Sequence, residues 1–247
     1  MDDGDRTSPA GSTDLTRLGE PACWDAAVAL LAATTDALLD DVRELDDDAV
    51  RAPSLLPGWS RGHVLTHVAR NADGLGRLLT WARTGEPESM YASAAGRDAD
   101  IAAGAGRGAA ELEADVEASA ERFLAQLAAL PADRRDVPLT PWSGLDPVPA
   151  HVVLWFRLRE VGYHHLDLAL PSLPAGPDGT GRPRRFRDLP AAVVARGLPE
   201  ALARTGVDPA AAGVHGEPGD LLGWLTGRED GADLRAEHGL PVVPSWG

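Results

Sequence analysis

The stretch REVGYHHLDLAL, Arg159 to Leu170, decides how the chain is read. It sets a glutamate, two adjacent histidines and an aspartate in what otherwise reads as an apolar helix, preceded by HVVLWFRL (residues 151–158) and followed by Pro171. Glu160 and His164 are four residues apart, so on a helix they rise from one face, one turn above the other. Phe156 and Val152 or Val153 continue that face, which points the polar pair into a core. A carboxylate buried there without a partner costs at least several kcal/mol, so it must be paired or neutralised.

Working outward, Trp24, Val28, Leu31, Thr35, Leu38, Val42 and Leu45 form one stripe of a first amphipathic helix. After LLPGW, Ser60 suits the N-cap of a second helix carrying Val64, Val68, Ala72, Leu75 and Leu79, which Gly85 and Pro87 end. His63 and His67 lie four apart on an adjacent stripe. Residues 86–107 lack a clear period and read as a long loop with room for a short helix. A third helix runs from Leu112 through Val116, Phe123 and Leu127 to Pro131. A fourth is expected from Asp146-Pro147 through Trp155 to Pro171. Four long helices with no strand pattern between them predict a four-helix bundle over residues 19–171.

Residues 1–18 read as a disordered acidic tail. Residues 172–185, SLPAGPDGTGRPRR, read as a linker, and 186–247 as a small α/β C-terminal domain with helices near 188–205 and in GDLLGWLTGR. The fold class is therefore α+β.

Composition narrows the function. Of 247 residues, 44 % are hydrophobic, enough for a real core. A formal charge of -15 argues against nucleic acid or an anionic membrane as partner and favours a small molecule. No apolar run approaches the ~18 to 20 residues of a membrane span, and the N-terminus is unlike a signal peptide, so a cytoplasmic location is expected. One cysteine, Cys23, excludes an internal disulfide and any multi-cysteine zinc site. All 23 basic residues are arginine, which excludes Schiff-base chemistry on lysine.

His67 sits in the same apolar setting as the Glu160–His164 pair, so two helices aim three potential ligands at one interior. Three protein ligands with a fourth position open is the arrangement of a catalytic zinc. Spacing alone leaves alternatives. A helical E-x-x-x-H pair also suits a surface ion pair or a hydrogen-bonded core histidine. His63 could replace His67, His165 could replace His164, and Asp167 could simply pair with an arginine.

LPGWSRGHVLTHVARNADGL, REVGYHHLDLAL, GDLLGWLTGRED and the terminal LPVVPSWG together resemble the mycothiol-dependent maleylpyruvate isomerase family, a branch of the DinB-like metal-binding bundles, over roughly residues 20–247. The resemblance implies a divalent metal, normally zinc, held by His67, Glu160 and His164. It makes His63, Asn71, His165 and Asp167 candidates to support the ligands or bind mycothiol, and Arg228 and Arg70 candidates to hold substrate carboxylates. It further implies mycothiol as thiol cofactor, a dicarboxylate substrate, maleylpyruvate, isomerised to fumarylpyruvate in gentisate catabolism, and a monomer or weak homodimer. Two rivals keep the bundle: a mycothiol S-transferase acting on another electrophile, and a non-catalytic metal-binding regulatory module.

Overall fold

The computed structural model describes residues 14–142, 146–170 and 182–244. Among these, eight α-helices and two short strand pairs follow in order: α1 (Pro21–Arg43), α2 (Asp47–Arg51), α3 (Arg61–Thr84), α4 (Ala94–Gly104), α5 (Ala109–Ala128), β1 (Pro138–Leu139), β2 (Val148–Pro149), α6 (Val152–Asp167), α7 (Ala191–Thr205), β3 (Val214–His215), α8 (Pro218–Leu225) and β4 (Arg235–Ala236). β1 pairs with β2 and β3 with β4, both antiparallel. The arrangement is α+β and mostly helical.

Helices α1, α3, α5 and α6 form the bundle, with α3 packed on α5 and α6 and α1 on the same two. Their expected apolar stripes are the buried ones: Trp24, Leu31, Leu38 and Val42 from α1, Val64, Val68 and Leu75 from α3, and Leu112, Val116 and Phe123 from α5. The same apolar cluster continues without a break into Phe186, Val193, Leu222 and Trp224. The C-terminal helices thus share the bundle's core. Tyr163 of α6 packs on Phe186 with centroids 4.9 Å apart, and Gly197 admits α7 to this contact, since a Cβ there would fall 2.3 Å from the Tyr163 hydroxyl.

Two boundaries differ from expectation. The fourth long helix begins at Val152, not at Asp146-Pro147, because Val148 precedes Pro149 and a residue before proline is pushed out of the helical region. Val148 and Pro149 instead pair with Leu139 and Pro138. The helix ends at Asp167, before the expected Pro171, which lies outside the described residues; Ala169 turns left-handed at φ 52°. The loop expected over 86–107 contains α4, which packs on α3. Of the expected tail, residues 1–13 fall outside the described set; Leu15–Arg17 form a 3-10 turn, with Leu15 and Leu18 buried. Most of the expected linker, 172–181, and residues 245–247 of the terminal motif are also outside it.

The expectation about apolar length also needs correction. With 23 residues and a mean hydropathy of 1.4 in its most apolar stretch, α1 is long and apolar enough, by length and composition, to cross a membrane. Here one side of it is buried against α5 and α6.

Candidate metal centre

The start of α3 is fastened to the end of α6. The Leu55 amide donates to the Asp167 carbonyl at 2.8 Å, and Arg61 Nε donates to the Leu168 carbonyl at 2.7 Å. Helix-end carbonyls that would lack partners are thereby satisfied, and the two helices are set antiparallel in a fixed register. That register brings His67 of α3 opposite Glu160 and His164 of α6.

His67 Nε2 lies 3.0 Å from Glu160 Oε2, and His164 Nε2 lies 3.4 Å from the same oxygen. One donor atom from each of the three residues falls within 4.8 Å of the other two, so the cluster could hold a metal ion. Ligands about 2.1 Å from a tetrahedral ion stand about 3.4 Å apart, close to the two separations here. The imidazoles meet edge to face, with centroids 4.6 Å apart.

Behind His164 stands a second layer. His164 Nδ1 is 2.8 Å from Asp167 Oδ2, which leaves Nε2 turned to the cluster. Asp167 is fully buried and receives Arg228 Nε at 2.9 Å and Nη2 at 3.1 Å. Oriented partners of this kind fix the tautomer and raise the basicity of a ligating histidine. Trp59 covers the other side, its ring 5.7 Å from that of His67.

The charges follow from these contacts. Burial alone would raise the Glu160 pKa, but hydrogen bonds to His164 and His67 hold it well below the usual range, so it is a carboxylate. Burial lowers the pKa of His67, and neighbouring His164 and Arg97 lower it further, outweighing Glu160 and favouring the neutral, ligating form. At His164 burial is outweighed by Asp167 and Glu160, which raise its pKa.

The other candidates are engaged elsewhere. His63 serves as a cap: its Nδ1 accepts from the Ser60 amide at 3.2 Å and lies 2.8 Å from Ser60 Oγ. His165 points to α1, with Nε2 2.7 Å from Asp41 Oδ2. Arg70 turns to α5, bonding Asp115 and lying 3.3 Å from Asp73, so its charge is met by two carboxylates. Asn71 accepts from Arg157 Nη1 at 3.1 Å.

Arg157, Tyr91 and Trp59 were not anticipated. Arg157 is a buried cation just beneath Glu160 on α6, its guanidinium on the Val68 carbonyl at 2.7 Å and its pKa brought down by burial to about 10. The signal was present: a lone arginine inside HVVLWFRL. Burial, with Glu160 nearby, raises the Tyr91 pKa to about 12, but nothing in the loop sequence marks it.

Bundle and cluster together define a helical-bundle protein whose core brings two histidines and a glutamate close enough to hold a metal ion. The model of the mycothiol maleylpyruvate isomerase N-terminal domain matches residues 31–169, more than half of the sequence, and the chain belongs to this family. A crystal structure of the mycothiol-dependent maleylpyruvate isomerase is similar with a TM-score of 0.78 at 25 % identity, covering 90 % of this chain and 96 % of that one. A histidine-to-alanine mutant of that enzyme is similar with a TM-score of 0.77 at 24 % identity over the same shares. No curated protein matches the chain.

Proposed function

We propose that the protein is a metal-dependent cis-trans isomerase that uses mycothiol to convert maleylpyruvate to fumarylpyruvate, with His67, Glu160 and His164 holding a divalent ion, zinc by preference. The observation that carries this reading is the convergence of those three side chains from α3 and α6 within 4.8 Å, in a chain of this family.

A bound metal would supply positive charge at an open position, lowering a thiol pKa so that thiolate is present at neutral pH. The protein's own residues do the rest. Asp167 and Arg228 keep His164 Nε2 aimed at the cluster. Trp59 shields His67 from water. With Nε and one Nη2 hydrogen on Asp167, Arg228 keeps both Nη1 hydrogens and the second Nη2 hydrogen for a substrate carboxylate, and Arg70, already neutralised, is not part of the proposal.

In the reaction, thiolate sulfur adds to the cis carbon-carbon double bond of maleylpyruvate, and the electron pair moves into the adjoining carbonyl system. The former double bond, now single, rotates. Its re-formation expels the thiolate and leaves the trans product, so thiol is neither consumed nor oxidised.

The test is the ultraviolet assay of maleylpyruvate conversion by the full chain, with and without mycothiol, before and after metal removal. Conversion that needs both, with mycothiol catalytic in amount, is expected. Stoichiometric consumption of thiol would point to an S-transferase, and absence of any reaction in the metal-loaded protein would overturn the enzymatic reading.

A further inference from the structure

A cavity of about 520 Å³ lies between α6 and α7, and none of the three metal-site side chains lines it. Its apolar wall includes Trp142, Trp155 and Phe156. Trp142 is 48 % exposed, an unusual state for so large an apolar ring, and stands 5.8 Å from Phe156.

The charged groups in the lining are Arg159, Arg196 and Arg204 against the single carboxylate of Glu200. Arg159 is already committed: it bonds Glu200 and lies 3.5 Å from Glu160 Oε1. Glu200 also accepts from Trp155 Nε1 at 3.0 Å. The Arg196 guanidinium, by contrast, lies 5.9 Å over the Trp155 ring, and the carboxylate within its electrostatic reach, Asp14, is exposed and hydrogen-bonded to Thr16, which leaves the guanidinium to an incoming acceptor.

Small-molecule sites of about 300–1,000 Å³ combine mostly apolar walls with a few placed polar groups, and this cleft has that make-up. Guanidinium edges pair with carboxylates in two parallel hydrogen bonds, while flat aromatic walls favour a flat partner. We propose that the cleft between α6 and α7 is a binding site for an aromatic carboxylate, with Arg196 meeting the carboxylate and Trp142 and Phe156 covering the ring. The site is distinct from the metal centre, and its occupancy needs neither metal nor thiol.

The experiment is calorimetric titration of the full chain with 2-naphthoate, and with the neutral isostere 2-naphthamide, before and after metal removal. Saturable one-to-one binding of naphthoate is expected in both states, at least tenfold tighter than the amide. Arg196→Ala and Trp142→Ala should each weaken it tenfold or more while thermal unfolding stays at the wild-type temperature. Equal binding of the amide, undiminished binding by both variants, or no saturable binding at millimolar naphthoate would overturn the proposal. Because isomerisation is not read, failure here is separate from failure of the proposed reaction.

Discussion

Arg228, from the turn after α8, grips both carboxylate oxygens of Asp167 at the end of α6, at 2.9 and 3.1 Å. Asp167 in turn lies 2.8 Å from His164 Nδ1. The C-terminal part of the chain therefore sets the orientation of a bundle histidine across a separation of 61 residues.

Arg228→Ala leaves Asp167 buried with His164 as its remaining partner, and breaking a buried pair from one side costs about 3–5 kcal/mol. Metal affinity should fall about 10–100-fold, the usual effect of losing a partner behind a ligand. Arg228→Lys should not restore it, because an ammonium cannot make the two-pronged contact. Denaturant unfolding and competitive metal titration check this; a variant unchanged in both would show that the link does no positioning.

His67→Ala and His63→Ala separate ligand from cap. His67→Ala should reduce bound metal, measured by atomic emission after dialysis, to background. His63→Ala should keep its metal and lose about 1 kcal/mol of stability with the cap of α3. The reverse pattern would reassign the ligand.

Asp41 joins α1 to His165 and to Arg184, at 2.7 and 3.0 Å. Burial raises its pKa, but those two hydrogen bonds prevail and bring it below the ordinary 3.8. A depressed folded pKa means the unfolded state takes up the proton first, so this stabilisation is present above about pH 4 and is lost as pH falls through the folded value. Asp41→Asn should be less stable than wild type at pH 7 and lose less on going from pH 5 to 3. Parallel curves of Tm against pH would contradict the linkage.

At Gly62 an added Cβ would stand 2.3 Å from the Ala105 carbonyl oxygen, just past α4. Gly62→Ala must push that backbone away from α3, at about 1–3 kcal/mol, or roughly 2–12 °C in Tm for a chain of this size. An unchanged Tm would mean that α4 shifts without cost.

Much of the fold is local and was legible. Apolar spacing of three and four placed α1, α3 and α5, the Ser60 cap placed the start of α3, and the Glu160–His164 pair shares a face because helical pitch is local geometry. The late start of α6 was in principle legible too, since Pro149 restricts Val148. The strand pairing that occupies this stretch was not, because it depends on residues 138 and 139.

The amino-acid sequence by itself determined that a helical bundle would carry histidines and a glutamate on inward faces, because side-chain period and the cost of burying a lone charge are properties of short stretches. Only the tertiary structure decided which histidines meet. His63 and His67 share a helix face, and His164 and His165 are neighbours, so spacing cannot rank them. Ser60 holds His63 at the helix start and Asp41 draws His165 to α1. The Leu55–Asp167 and Arg61–Leu168 hydrogen bonds then set α3 against α6 so that His67 faces Glu160. Those contacts join segments more than 100 residues apart, and their geometry exists only once the helices have packed.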